Sequence, residues 1–209
     1  MRNRFRVPST LPRKLEELGV ARAAVLRLAG LPTGLFDAEK ILVSTEEFFA
    51  LYRGLSEASR DPAIGLKLGT EDRVERYDPI GIAALSARSL RDALERLARY
   101  KQLTCPEEIR LAERRNECGV HFAWLRAVES EPALLVDVCF AWVVAIARRG
   151  TGGLVTPKRL ELRREAAQHL NGNAESLLIT IEQAFPPHGD IANKFAHPRV
   201  VNDGAAVAI

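Results

Sequence analysis

Between Ser89 and Leu125 the hydrophobic spacing changes from helical to alternating, and this change most limits what the chain can become. In SLRDALERLARYKQL (89–103), Leu90, Ala93, Leu94, Leu97 and Tyr100 recur at helical spacing. Asp92 and Glu95 each precede an arginine by four, which supports an exposed helix face. EEIRLAE then alternates, with Ile109 and Leu111 on one face. In CGVHFAWL, Val120, Phe122 and Trp124 share one face and His121, Ala123 and Leu125 the other. ERRNE between them reads as a hairpin loop. A helix feeding an antiparallel hairpin argues against both an all-helical bundle and a doubly wound parallel sheet.

Upstream the punctuation is helical. TLPRKLEELG has Thr10 as expected N-cap and Gly19 as a stop, and VARAAVLRLAG stops at Gly30. STEEFFALYRGLSEAS opens with a capping box, Ser44 with Glu47, ahead of a broad apolar face formed by Phe48, Phe49, Leu51, Tyr52 and Leu55. Asp61-Pro62 and Asp78-Pro79 read as two helix starts, with Asp capping and Pro in the first helical position. Ser89 caps the next helix. Downstream, SEPALLVDVCFAWVVAIARRG returns to helix, with Ser130 the expected cap and Arg148, Arg149 and Gly150 its end. KRLELRR alternates again, with Leu160 and Leu162 expected inward. The expected fold class is α+β: a mostly helical N-terminal layer packed with a small, mainly antiparallel sheet.

Composition divides the chain in two. Residues 165–209 carry five acidic and two basic side chains, a net charge of −3, against about +6 for residues 1–164. His169, His188 and His197 fall in this tail. The expected organisation is therefore a main body over 1–164 and a compositionally distinct C-terminal tail over 165–209. Within the tail ESLLITIEQAF is compatible with helix or strand.

The residues offer little chemistry. There is no phosphate-binding GxxxxGK[ST], GxGxxG, HExxH, CxxC or GxSxG pattern. Cys118 and His121 are three apart on a strand and point to opposite faces, which rules out a thiol–imidazole pair. Cys139 reads as a small buried hydrophobe. His188, Asp190 and His197 form an irregular loop group rather than a metal centre. Three cysteines make no disulfide framework and fit a reducing, cytoplasmic setting. The apolar run 133–147 is too short to span a bilayer and contains Asp137, so no membrane association is expected. Neither a catalyst nor a cofactor is expected. The Arg2, Arg4, Arg6 arm reads as solvated. The Gly19 helix pair resembles a helix-turn-helix, but its second helix offers only Arg22 and Arg27 toward a groove and reads as a packing helix.

Taken together, VPSTLPRKLEELGVARAAVLRLAGLP, ILVSTEEFFALYRGLSEASRDPAIGLKLG and YDPIGIAALSARSLRDALERLARYKQL resemble the N-terminal effector-binding, arabinose-binding-domain-like region of AraC-type bacterial transcription regulators. The resemblance runs from residue 7 to about 164, and its most specific pieces are DPAIGLKLG and SLRDALERLARY. It implies a domain that binds a small-molecule effector. Full-length members add a second domain with two helix-turn-helix units, which this chain does not carry, so DNA binding by this chain alone is not expected. The family's Phe-Gly-Cys-Pro-like turn after the KRLELRR-like strand has no counterpart in EAAQHLNGNAESLL.

On this reading a pocket lies between the helical layer and the inner face of the hairpin. Tyr100, Phe122, Trp124 and Trp142 are its expected lining, with Lys101 or Arg126 supplying charge. Ordinary core packing is the alternative role for each aromatic. "Arabinose" is a family label, and no feature of the sequence selects a sugar. A homodimer is the expected assembly. The competing readings are an interaction protein that pairs with a full-length regulator, and direct DNA binding through the N-terminal helix pair.

Overall fold

The computed structural model describes residues 4–71, 73, 76–114, 117–161 and 178–183. Two layers result. Helices α1 (Leu11–Glu17), α2 (Arg22–Leu28), α3 (Thr45–Ala58), α4 (Ile64–Gly69), α5 (Pro79–Leu85) and α6 (Leu90–Thr104) precede the hairpin β3 (Glu107–Arg114) and β4 (Glu117–Trp124). α7 (Ala133–Thr151), β5 (Val155–Glu161) and β6 (Leu178–Gln183) follow. A small ladder joins β1 (Phe5–Arg6) to β2 (Leu42–Val43), antiparallel. The main sheet is four-stranded, in the order β3-β4-β6-β5, with every pairing antiparallel. β6 lies within the compositionally distinct segment 165–209 and pairs with both β4 and β5.

Local side-chain chemistry sets three of the helix starts. Ser44 Oγ accepts from Glu47 N while Glu47 Oε2 accepts from Ser44 N, completing the capping box. Asp78 Oδ1 accepts from Gly81 N at 2.6 Å, with Pro79 as the first helical residue. Ser89 Oγ accepts from Asp92 N. Each satisfies an amide that the helix leaves without a partner, a contribution of about 1 kcal/mol.

Other starts differ from expectation. Thr10 occupies the N-cap position of α1 in a helical conformation and its side chain caps nothing. Asp61 caps a turn instead of a helix: its Oδ1 accepts from Ala63 N, Pro62 sits in that turn, and α4 begins only at Ile64. α7 starts after Pro132 without a side-chain cap from Ser130, and it runs past Arg149 to Thr151, where Gly152 (φ 64°) ends it in the left-handed region.

The sheet's inner face meets the helices. Ile109, Val120, Phe122 and Val155 are buried there. Leu160, expected inward, is 52% exposed, because on edge strand β5 only the first residue, Val155, is fully covered. Leu162 lies outside the described residues. The N-terminal arm is not a free solvated arm. Phe5 and Arg6 form β1, and Arg4 bonds the Leu42 carbonyl oxygen at 2.8 Å and Glu47 Oε2 at 2.9 Å. Arg2 lies outside the described residues.

Two helix pairs pack backbone to backbone. α4 rests on α7 through Gly65 and Gly69, four residues apart and so on one face. A β-carbon on Gly69 would collide with the Val138 carbonyl oxygen and stand 2.6 Å from Ala141 Cβ. One on Gly54 of α3 would stand 2.6 Å from Ala29 N and 2.7 Å from the Val25 carbonyl oxygen at the C-terminal end of α2. The family-like piece DPAIGLKLG is therefore a packing motif: its glycines bring α4 onto α7. Among the described residues no helix is long and apolar enough to cross a membrane.

Candidate functional site

Where α6 gives way to β3, the chain buries a carboxylate. Glu107 shares strand parity with Ile109 and Leu111, so alternation turns it toward the helices, and it is 1% exposed. A charge so placed needs a partner, since an unpaired buried carboxylate is strongly disfavoured. Lys101, one and a half turns back on α6, supplies it: Nζ is 3.1 Å from Glu107 Oε2. The same ammonium lies 4.8 Å from the centroid of the Trp142 ring of α7, in cation–π geometry. Two thiols complete the setting, with Cys139 Sγ 3.5 Å from Glu107 Oε1 and Cys105 Sγ 3.9 Å from Oε2.

The electrostatics are those of a compensated pair. Burial alone would lower the Lys101 pKa, but the Glu107 carboxylate overrides it and holds the ammonium well above its usual range. Burial, reinforced by Glu107, pushes the Cys139 thiol well up, and burial also raises Cys105. Burial likewise raises the hydroxyl of Tyr52, which lies within electrostatic reach of this cluster. All three groups are held neutral at pH 7 around one ion pair.

Beside Glu107 lies a cavity of about 10 Å³. It is lined by Glu107, Phe122, Trp124, Glu131, Leu135, Val136, Cys139 and Phe140, and the surface they present to it is apolar. Phe122 meets Phe140 edge to face at 5.2 Å. Trp124 stacks among Phe5, Phe48 and Phe49, with its closest centroid, that of Phe49, at 5.1 Å.

The residues expected to form a site are thus distributed. Lys101 and Trp142 come together beside Glu107, and Phe122 and Trp124 are among the residues lining the cavity. Tyr100 is half-buried on α6 against the core. Arg126 lies exposed in the turn after β4. Sequence reasoning missed Glu107, Glu131 and Phe140. Strand parity was the available signal for Glu107; Glu131 and Phe140 carry none, because their roles follow from how α7 crosses the sheet.

The other candidate chemistries are resolved where they can be described. Cys118 and His121 lie on β4 at positions of opposite parity. No group of three His, Cys, Asp or Glu side chains that could hold a metal occurs among the described residues. His188, Asp190 and His197 lie outside them. In the helix-turn-helix-like pair, α2 buries Val25 and Leu26, and Arg22 is bound to Glu16 at 2.8 Å, so α2 is a packing helix.

Comparison with known proteins places this architecture. The chain is 26% identical over 186 residues to the HTH-type transcriptional regulator Mb1430 of Mycobacterium bovis, and equally to Rv1395 of Mycobacterium tuberculosis. The match covers 88% of this chain and 52% of each relative, so the chain spans about half the length of the curated relatives it matches. Residues 19–176 match the family described as the arabinose-binding domain of AraC transcription regulator, N-terminal. The chain therefore belongs to the family of N-terminal arabinose-binding domains of AraC transcription regulators, a regulatory rather than an enzymatic family.

Proposed function

We propose that this chain is a ligand-sensing regulatory domain that binds a small-molecule effector at the junction of α6, β3, β4 and α7. The observation that carries the reading is the buried, compensated Lys101–Glu107 pair with an aromatic-walled cavity against it. Ion pairs in a core are poor stabilisers compared with apolar packing, so one kept beside a cavity is a candidate recognition element. In this proposal Lys101, Trp142, Phe122 and Trp124 surround the effector's point of entry, with Tyr100 behind them and Arg126 at the rim. The body over 1–164 does the sensing, with the tail lending β6 to the sheet. Effector binding shifts the domain between two arrangements by as much as its affinities for the two differ. The output passes to DNA through a reader outside this sequence.

A thermal-shift screen against bacterial metabolites tests this. A ligand at a hundred times its Kd adds about 2.7 kcal/mol. For a domain of this size that is roughly 5–11 °C in Tm. If no metabolite shifts Tm, the sensing role fails.

A homodimer or a pairing with a full-length relative is the second reading, favoured by Leu103, Leu125 and Val128, which are 79%, 54% and 88% exposed. Leu125 N bonds the Pro106 carbonyl oxygen, so Leu103 and Leu125 flank the same junction of α6, β3 and β4. Sedimentation of the wild type against Leu103→Ser with Val128→Ser tests it: a monomer in both cases excludes this face.

A further inference from the structure

We infer that the cavity beside Glu107 receives the apolar end of its ligand, so that the effector class is a molecule with a hydroxyl-free alkyl terminus rather than a sugar. This rests on the ligand-sensing reading and narrows it.

The first argument is what the walls present. Two of the lining residues are acids, yet the surface turned to the cavity is apolar. The hydrogen bonding of Glu107 shows how an acid does this. Its Oε2 meets the Lys101 ammonium at 3.1 Å and its Oε1 the Cys139 thiol at 3.5 Å, so both oxygens are engaged. What remains for the cavity is carbon. A hydroxyl or an amine placed there loses its water and gains no partner, which is strongly unfavourable. A hydrocarbon end has no such partner to lose and gains by leaving water.

The second argument is size. The space is about 10 Å³, near the room that one water needs. A water also needs several polar partners, and an apolar wall supplies none. One methyl has the right bulk, so the fit is to the tip of a ligand and not to a whole molecule. A pentose bears oxygen on every carbon and has no tip of this kind.

The third argument is the approach. Segment 125–130 joins Trp124 to Glu131, both of which line the cavity. It carries Leu125 and Val128, which are 54% and 88% exposed. Apolar side chains therefore continue along the chain from the lining to solvent, where the body of an alkyl ligand rests.

The test titrates hexan-1-ol, hexane-1,6-diol and arabinose into the full chain, followed by calorimetry and thermal shift. The two alcohols are uncharged, equal in carbon number and differ by one terminal hydroxyl. The expected result is that hexan-1-ol gives a saturable isotherm and raises Tm, while the diol binds about tenfold more weakly or worse. Val136 lines the cavity, and Val136→Ile adds one methyl there and abolishes hexan-1-ol binding. Val136→Ala widens the same space and binds the alcohol at least as tightly as wild type, which keeps the test decisive if the isoleucine variant does not fold. Equal binding of the diol, an Ile variant that binds as wild type does, or an Ala variant that binds more weakly overturns the apolar assignment. If arabinose or another polar metabolite binds and hexan-1-ol does not, the assignment falls while the sensing role stands. If neither these probes nor any metabolite binds, both readings fall.

Discussion

Replacing Lys101 by Met isolates the energetics of the buried pair. Met matches the length of the lysine stem and keeps its packing over Trp142, but it removes the charge that Glu107 faces at 3.1 Å. Glu107 is 1% exposed, so water cannot replace the ammonium without the structure opening. The two thiols are too weak as donors to compensate. Breaking a buried pair by removing one partner costs about 3–5 kcal/mol. Lys101 keeps 18% of its side chain in solvent, which places the expectation near the lower end. At 2–4 °C per kcal/mol for a chain of this length, Tm falls by roughly 6–12 °C in calorimetry. The control is Lys101→Met with Glu107→Met, which removes both charges and recovers most of the loss. A single variant within about 2 °C of wild type, or a double variant worse than the single, would refute the view that these two groups compensate each other in the core.

Further outcomes follow from the same geometry. Gly69→Ala drives a methyl into the backbone of α7 and costs about 1–3 kcal/mol by overpacking, read as a lower midpoint in urea. Asp92, held by Arg88 N and by Arg96, and Asp61, held by Lys67 and by Ala63 N, have pKa values below their ordinary ones. The same holds for Glu71, where burial works against ionisation but Arg73 and Lys14 outweigh it. Their stabilisation is present above the unfolded carboxylate range and lost as pH falls through the folded values, so Tm drops below about pH 4, and Glu71→Gln flattens that limb. Lys101 acts with the opposite sign: its contribution is complete below about pH 10.5 and disappears only as pH rises through its elevated folded value. Thiol labelling at pH 7.5 is slow for native Cys105, Cys118 and Cys139, whose pKa values are all raised, and becomes fast in denaturant; rapid native labelling of Cys139 would contradict its burial.

What the sequence disclosed was mostly local. A cap needs one side chain and an amide two or three residues on, so Ser44, Asp78 and Ser89 could be read directly. The hairpin was legible because alternation is a local rule. Asp61 and Ser130 misled because a turn offers an Asp or Ser side chain the same amides as a helix start. The site was less accessible. Glu107 is the first of two adjacent acids in EEIRLAE and resembles any solvated strand position until its parity with Ile109 is taken seriously. Its partners come from α6 and α7, and that encounter is set by helix packing. The glycines of DPAIGLKLG were visible as a family-like piece, yet their purpose depended on seeing which backbone they touch.

The contact between α4 and α7 has a mechanical consequence. Along α7, Cys139 and Phe140 line the cavity, while Val138 and Ala141, on the opposite side, abut Gly69 with nothing larger than the Ala141 methyl between. Long side chains yield by changing rotamer, whereas a backbone seated on a backbone has no such slack. A molecule wedged beside Glu107 leans on a rod braced against a hard stop, so α4 must travel with α7 or the wedge must be refused.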